Sequence, residues 1–322
     1  MKIGSLSISE GAALAPMAGV ADTAFRLICK QFGAVYLVGE MVSAKGLMMN
    51  ERRSAPLLVL TGAEHPAAVQ LFGAVPEELE QAAAIAMKYG PDVIDINMGC
   101  PVPKVVGGGA GSAIMKTPSL AGELVRAVRR GCGDRVPVTA KIRKGFREEN
   151  AVEVAKYLED AGAAMVAVHG RTREQYYQPG ADWSVIARVK QALSIPVAGN
   201  GDVTDADSFF AMKRQTGCDL VMIGRGAMGN PFVFEEIAAR LKGEEPPAVP
   251  LKRRMDVMLR HMELIVRHKG EQTGMREARK HAAWYLKGIR GAAELRRQAA
   301  QLTTLDDARR LAELALQREK FV

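Results

Sequence analysis

The sequence predicts an α/β fold in which short buried strands alternate with helices. Eight apolar runs recur in the first 240 of its 322 residues, at 13–19, 35–41, 67–73, 93–99, 137–143, 165–171, 196–202 and 220–226. Each run is continuously apolar, which is typical of strands covered on both faces. Eight strands at this spacing favour a closed (β/α)8 TIM barrel, with an open doubly wound sheet as the alternative.

The stretches between these runs have the composition and periodicity of helices. Examples are PEELEQAAAIAMKYG, SLAGELVRAVRRG, NAVEVAKYLEDAG and WSVIARVKQAL. The segment GEEPPAVP (243–250) has the composition of a linker, and the residues after it show only helical periodicity. We therefore expect a barrel domain at 1–242, a linker at 243–250 and a small all-helical domain at 251–322.

The net charge of +8 is concentrated in the predicted helical domain. Residues 241–322 contain 18 Lys and Arg against 11 Asp and Glu, whereas residues 1–240 contain 26 against 25. A basic region beside a nearly neutral body indicates a polyanionic partner. A solvated helical surface that is merely basic is the alternative, and charge alone does not decide between them.

Composition also bounds the location of the protein. No apolar run reaches the roughly 18 residues that a membrane span needs, and the N-terminus lacks the features of a signal peptide. The four cysteines, Cys29, Cys100, Cys132 and Cys218, are widely separated and lack the spacing of a zinc site. We expect a cytoplasmic monomer with reduced thiols, no metal and no membrane contact.

Polar residues stand at the ends of five consecutive predicted strands. They are Gln70, Asn97, Lys141, His169 and Asn200. The carboxyl ends of barrel strands form the rim on which barrel enzymes carry their sites. A lysine inside an apolar strand is costly to bury without a partner, and a single buried histidine is more often a satisfied core residue. Five such groups on one rim favour a functional site.

Two glycine-rich turns follow the last two predicted strands. In barrels these loops commonly bind phosphate, and GNGD (199–202) and GRG (224–226) occupy them. Their glycines allow backbone N–H groups to approach an anion, and Arg225 adds charge. A phosphorylated cofactor is the functional interpretation, and two tight turns are the alternative. GRGAMG (224–229) also fits the dinucleotide pattern G-x-G-x-x-G, but the chain leaves the α/β pattern after it.

Several motifs together carry a family resemblance. They are APMAGVADTAFR (15–26), DINMGCP (95–101), KIRKGF (141–146), HGRTREQYY (169–177), GNGD (199–202) and MIGRGAMGNPFVF (222–234). In this order they resemble the tRNA-dihydrouridine synthases over nearly the whole chain. ARKHAAWYLKG (278–288) resembles the bacterial B-type branch of that family.

The resemblance implies an FMN- and NADPH-dependent enzyme that reduces specific uridines of tRNA to 5,6-dihydrouridine. For the B-type branch it favours position 17 of the D-loop, without excluding other sites. The cofactor-binding residues that it implies are Pro16, Met17 and Ala18 at the isoalloxazine ring, Gln70 and Lys141 at its pyrimidine edge, His169 beside flavin and substrate, and Asn200, Gly201, Asp202, Gly224 and Arg225 at the phosphate end.

Cys100 is the catalytic residue that the resemblance implies. Reduction of uracil needs a hydride at C6, which the reduced flavin gives, and a proton at C5. A thiol with a pKa of about 8.5 is still protonated at neutral pH and can donate that proton. The glycine-rich stretch after Cys100 would let the segment close over the base. A buried structural thiol and a redox sensor are the other interpretations of Cys100.

The remaining implied residues contact the RNA. Asn97 would orient the uracil, and Arg143 would contact substrate phosphate or base. The base must leave its stack to reach a barrel mouth, and such RNA is recognised by shape and phosphates. Arg279, Lys280 and Lys287 are the expected phosphate contacts, whereas we expect Trp284 and Tyr285 to pack internally.

Two other functions remain open at this point. An FMN oxidoreductase of the dihydroorotate or free-pyrimidine type would share the barrel and its cysteine, but would not need a basic helical domain. A non-catalytic RNA-binding protein would not need Cys100, Lys141 and His169 together.

Overall fold

The eight predicted strands form a closed parallel barrel. The computed structural model describes residues 1–176, 178 and 180–319, so Tyr177, Pro179 and residues 320–322 lie outside the description. The barrel strands are β3 (Ala12–Leu14), β4 (Tyr36–Ser43), β5 (Ala67–Phe72), β6 (Val93–Met98), β7 (Val138–Gly145), β8 (Met165–Thr172), β9 (Val197–Asn200) and β10 (Leu220–Ile223). Pairing of β10 with β3 closes the barrel, which confirms the predicted fold and excludes an open sheet.

A short antiparallel hairpin precedes the barrel. Its strands are β1 (Lys2–Ile3) and β2 (Leu6–Ser7), and Ile3 packs in one apolar cluster with Tyr36 and Leu220. Three barrel strands end at least two residues before the ends of the apolar runs that predicted them, because β3, β9 and β10 end at Leu14, Asn200 and Ile223. The residues left over form turns at the rim.

Helices surround the barrel as the sequence predicts. They are α1 (Thr23–Gln31), α2 (Ala44–Met49), α3 (Glu51–Ser54), α4 (Pro76–Ala86), α5 (Pro103–Gly107), α6 (Pro118–Cys132), α7 (Ala151–Asp160), α8 (Trp183–Ala192), α9 (Ala206–Thr216) and α10 (Phe232–Leu241). Local sequence sets several of their starts. Asp22 accepts a hydrogen bond from the Phe25 N–H at the start of α1, and proline occupies the first turn of α4 and α6.

In the part of the chain that the structure describes, four further helices follow residues 243–250, which contain neither helix nor strand. They are α11 (Leu251–Lys269), α12 (Glu271–Tyr285), α13 (Ala292–Ala299) and α14 (Leu305–Glu319), called here the helical region. Met258 and Tyr285 of this region share an apolar cluster with Ile28 of α1 and Phe232 of α10. Because the helical region shares a core with the barrel, the proposed domain boundaries stay a prediction.

Polar contacts add to this shared core. Lys269, at the end of α11, places its ammonium 2.6 Å from a carboxylate oxygen of Asp22 and 2.6 Å from one of Glu277. The buried imidazole of His261 stacks on Phe25 with ring centroids 5.5 Å apart. The helical region is therefore fixed against α1, beside the barrel mouth.

The last glycine of GRGAMG has a packing role in this contact. Gly229 has a φ of 67°, and a Cβ placed on it would overlap the backbone of Trp284 at the end of α12. Only glycine combines this left-handed conformation with so close an approach. The dinucleotide interpretation of the motif is thus replaced by a role in helix docking.

We expect Gly229→Ala to destabilise the protein by roughly 2–4 kcal/mol, because it adds a steric overlap with α12 to the cost of a left-handed alanine. Urea unfolding of the purified protein measures this. Gly243→Ala is the matched control, since Gly243 has a φ of 75° with no atom within 4 Å of an added Cβ. Equal losses in both variants would show that the close approach to α12 has no energetic effect.

Candidate active site

A buried hydrogen-bond chain crosses the floor of the barrel mouth. Asp95 accepts from Thr139 Oγ1 at 2.6 Å and from Gln70 Nε2 at 2.7 Å, and Gln70 Oε1 accepts from Asn97 Nδ2 at 2.8 Å. Burial raises the pKa of Asp95, whereas these hydrogen bonds lower it. The chain fixes which way the amides of Gln70 and Asn97 face.

Asn97 in turn shapes the backbone that carries Cys100. Its Oδ1 accepts from the N–H of Gly99 at 3.2 Å and of Cys100 at 2.9 Å. On the far side, the Ser112 N–H donates to the Cys100 carbonyl at 3.0 Å, and a Cβ added to Gly111 would lie 2.8 Å from that oxygen. The turn is therefore held from both sides.

The Cys100 thiol is half-buried at this turn. Burial raises its pKa above the ordinary value, while the backbone N–H of Val102 and the charge of Arg143 oppose the shift. The net effect keeps the thiol protonated at neutral pH. A protonated thiol at a rim position is suited to donating a proton.

Asn200 joins a lysine and a histidine. Its Oδ1 lies 2.9 Å from Lys141 Nζ and 2.9 Å from His169 Nδ1, and its Nδ2 donates to the Met222 carbonyl at 2.8 Å. Because Nδ2 is committed to that carbonyl, Oδ1 faces both neighbours, and His169 Nδ1 must carry the hydrogen. In the neutral ring, Nε2 is then an acceptor.

Burial determines the charge of both groups. It lowers the pKa of Lys141 to about 8, and the neighbouring charge of Arg143 acts in the same direction. Burial, with the charges of Lys141 and Arg143, lowers the pKa of His169 well below its ordinary value. His169 is therefore neutral, and its buried Nε2 has no hydrogen-bond partner in the described part of the chain.

Arg143 joins two loops of the rim. Its Nε donates to the Gly99 carbonyl at 2.7 Å, and one terminal nitrogen donates to the carbonyls of Thr172 at 3.0 Å and Tyr176 at 3.2 Å. These bonds fix the turn of Cys100 to the loop after β8. The structure thus gives Arg143 a positioning role beside its predicted contact with substrate.

The turns after β9 and β10 meet at Asp202. Its carboxylate accepts from Arg171 at 2.6 Å, from the Ala181 N–H at 2.8 Å and from Arg225 at 3.3 Å. Burial alone would raise the pKa of Asp202, but the bonds from Arg171 and Ala181 lower it. Asp202 has a φ of 57°, and it keeps this left-handed conformation because three donors hold its side chain.

Arg171 is a site residue that the sequence analysis did not single out. Its side chain is 3% exposed and pairs with Asp202. The signal in the sequence was its place two residues after His169, at the polar end of a strand that begins with four apolar residues. Gly201 fits the same cluster, because a Cβ on it would lie 2.7 Å from the Ala181 Cβ.

The remaining predicted residues lie in two places. Pro16, Met17 and Ala18 form the turn after β3, and Met17 Sδ would lie 3.6 Å from a Cβ added to Gly224. Arg279 and Lys280 lie on α12, and the exposed Lys287 lies just beyond it. Arg279 Nε donates to the Leu302 carbonyl at 2.8 Å, which gives it a structural bond within the helical region.

The turns after β9 and β10 fit a flavin phosphate, because their glycines leave backbone groups accessible and Arg225 adds a positive charge. The buried Lys141 and the orphaned His169 acceptor are instead suited to the ring system. Among residues 1–176, 178 and 180–319, no group of three or more His, Cys, Asp or Glu side chains is arranged to hold a metal ion. In the same residues, no helix has the length and apolar character of a membrane span.

Comparison with known proteins agrees with this geometry. The profile of the family described as Dihydrouridine synthase (Dus) matches residues 13–321. The chain belongs to the dihydrouridine synthase family. It is thus an oxidoreductase that forms dihydrouridine, and the resemblance predicted from the sequence is confirmed.

Curated members of the family match over nearly their full length. The tRNA-dihydrouridine synthase B of Pseudomonas aeruginosa is 42% identical over 309 residues, covering 95% of this chain and 92% of the relative. That of Xanthomonas axonopodis pv. citri is 40% identical, covering 100% of this chain and 96% of the relative. Among solved structures, a morphinone reductase variant with tetrahydroNAD aligns with a TM-score of 0.56 at 17% identity, over 77% of this chain and 91% of that one, which shows the fold.

We expect the lowered pKa of Lys141 to appear in the pH dependence of stability. The folded state binds this proton less tightly than the unfolded chain, so stability rises with pH between about pH 8 and pH 10. Relative to Lys141→Met, the ligand-free wild type should gain roughly 1 kcal/mol of unfolding free energy from pH 7.5 to 9.0. Lys156→Met, at an exposed lysine of α7, is the control. A pH-independent difference between wild type and Lys141→Met would contradict the lowered pKa.

Proposed function

We propose that this enzyme uses FMN and NADPH to reduce uridines in the D-loop of tRNA, with position 17 as the first candidate. The observation that carries the proposal is the half-buried Cys100 thiol, whose pKa is raised by burial, on the same rim as the Lys141–Asn200–His169 cluster. The relatives named tRNA-dihydrouridine synthase B support tRNA as the substrate. NADPH, a monomeric state and a cytoplasmic location rest on the resemblance and the composition alone.

The residues proposed to hold FMN fall into two groups. Pro16, Met17, Ala18, Gln70, Lys141 and His169 would contact its ring system, and Asn200, Gly201, Asp202, Gly224 and Arg225 its phosphate end. When bound and reduced by NADPH, FMN supplies the hydride that reaches C6 of the uracil. Lys141 contributes a cation in a site of low dielectric, where a fixed charge acts strongly on a developing negative charge.

Cys100 donates the proton to C5 of the uracil in this proposal. Burial keeps the thiol protonated until that step. Asn97 and Arg143 position it, because they hold the turn of Gly99 and Cys100 by its N–H and carbonyl groups. Asn97 donates one Nδ2 hydrogen to Gln70, and its other hydrogen is the group proposed to orient a uracil carbonyl.

His169 is a binding group and not an acid in this mechanism. Its neutral ring presents Nε2 as an acceptor at neutral pH, so it can receive a hydrogen bond from flavin or uracil. It cannot supply the proton that C5 requires. Burial raises the pKa of the Cys100 thiol, so Cys100 keeps its proton and serves as the acid. Burial lowers the pKa of His169, so its ring stays neutral and serves as an acceptor.

We expect Cys100→Ala to retain FMN and its reduction by NADPH, while the rate of tRNA reduction falls by about 100-fold or more through loss of the general acid. Single-turnover mixing of the reduced enzyme with unmodified tRNA measures this rate. Cys132→Ala, at a cysteine buried outside the mouth, is the control. A wild-type rate in Cys100→Ala would remove Cys100 from the mechanism.

We expect Asp202→Asn to weaken FMN binding by about tenfold, because a hydrogen bond to a charged group contributes roughly 1.5–3 kcal/mol and part of this is lost from the turn. The neutral amide would hold Arg171 and Arg225 less firmly than the carboxylate does. Quenching of flavin fluorescence on titration of the apoprotein measures the dissociation constant. Asp207→Asn is the control, because Asp207 is an exposed residue of α9 that pairs with Arg240 of α10. An unchanged constant in Asp202→Asn would show that the turn is formed without this carboxylate.

A further inference from the structure

Two cations converge on one aromatic ring at the barrel rim. Lys116 Nζ lies 4.0 Å from the centroid of the Phe146 ring, and Arg173 Cζ lies 5.4 Å from it. Both distances are within the range of cation–π contacts. The three residues, called here the Phe146 platform, come from the loops after β6, β7 and β8. None of them has a role in the site described above.

Neither Lys116 nor Arg173 forms an ion pair within the described residues, and the buried Nε of Arg173 has no hydrogen-bond partner there. The acids of the same loops are engaged elsewhere. Glu174 lies 2.8 Å from Arg147, and Glu149 lies 2.5 Å from Arg188 and 3.3 Å from Lys144. Glu148 is exposed and pairs with neither cation.

This arrangement favours an anion from outside the protein. Two like charges near one ring repel each other, and an anion bound between them would compensate this repulsion. The ring restrains both side chains, so less side-chain freedom is lost when the anion binds. Lys116 is exposed and Arg173 is partly exposed, so the site is open to a large ligand and does not enclose a small one.

The platform adjoins the turn of Cys100. The Arg173 N–H donates to the Gly145 carbonyl at 2.9 Å, next to Phe146. Tyr176, in the same loop as Arg173, donates its hydroxyl to the Pro101 carbonyl at 3.3 Å. Arg143 joins that loop to Gly99 through the carbonyl bonds described above. An anion on the platform would thus lie beside the catalytic turn.

The platform also lies across the mouth from the helical region. The barrel order is β10-β3-β4-β5-β6-β7-β8-β9, so the loops after β6 and β7 stand opposite the junction of β10 and β3. The helical region packs on α1 and α10, which follow β3 and β10. Basic groups therefore stand on both sides of the opening through which a flipped base must enter.

We propose that Lys116 and Arg173 bind a phosphate of the tRNA backbone on the side of the mouth opposite the helical region. The inference rests on the proposed function, because it takes tRNA as the polyanion. Held at two sides, the RNA would present the flipped nucleotide over the opening between them. Phosphate contacts of this kind position a nucleic acid without reading its sequence.

The test measures tRNA affinity against salt for Lys116→Gln and Arg173→Gln. Fluorescence anisotropy of labelled unmodified tRNA with the FMN-loaded enzyme gives the dissociation constant from 50 to 300 mM KCl. Each variant should bind about three- to fivefold more weakly at the lower salt. Its slope of log affinity against log salt should become shallower by about one, the contribution of one phosphate contact. Lys116→Arg should retain the wild-type slope.

Matched controls separate this effect from net charge. Lys156→Gln on α7 and Arg126→Gln on α6 each remove one exposed charge on the outside of the barrel. Affinities and slopes equal to those of these controls would overturn the proposal. A raised KM for NADPH with unchanged tRNA binding would also overturn it, by assigning the cations to the nucleotide. Absence of tRNA reduction by the wild type would instead contradict the proposed function.

Discussion

The hydrogen bonds between β10 and β3 are the constraint on which the rest of the structure depends. They pair Val221 with Ala12 and Ile223 with Leu14, and so close the barrel. Closure brings residues from distant parts of the chain to one rim, and it sets the turn after β3 beside the turns after β9 and β10. Without it, Met17 in the turn after β3 would not lie beside Gly224 in the turn after β10, and the mouth would not be enclosed.

Within the mouth, burial raises the pKa of an acid and lowers the pKa of a base, and each shift suits the role of its group. It keeps the Cys100 thiol protonated, and it keeps His169 neutral. Lys141 remains largely charged near pH 7 because its lowered pKa is still about 8. An acid, an acceptor and a cation thus coexist in one small volume. The hydrogen bonds of Asn97 and Asn200 hold them in place, and the charge of Asp202 stabilises the adjoining turn.

Much of this arrangement could be predicted from the sequence, and the rest depends on tertiary contacts. Continuous apolar runs predicted all eight barrel strands, and polar residues at their ends predicted the rim. The sequence did not predict that Arg171 would pair with Asp202, because a buried arginine is recognisable only once its partner is known. It also did not predict the role of Gly229, because its contact with α12 joins segments distant in the chain. The Phe146 platform was missed for the same reason.

The most direct measurement maps dihydrouridine, position by position, in bulk tRNA from cells with and without this gene. We expect loss of dihydrouridine at one or a few D-loop positions, position 17 first, and its return when the wild-type gene is restored but not when the Cys100→Ala gene is. An unchanged map in cells lacking the gene, with no other enzyme modifying the same positions, would contradict the proposal that this barrel reduces tRNA.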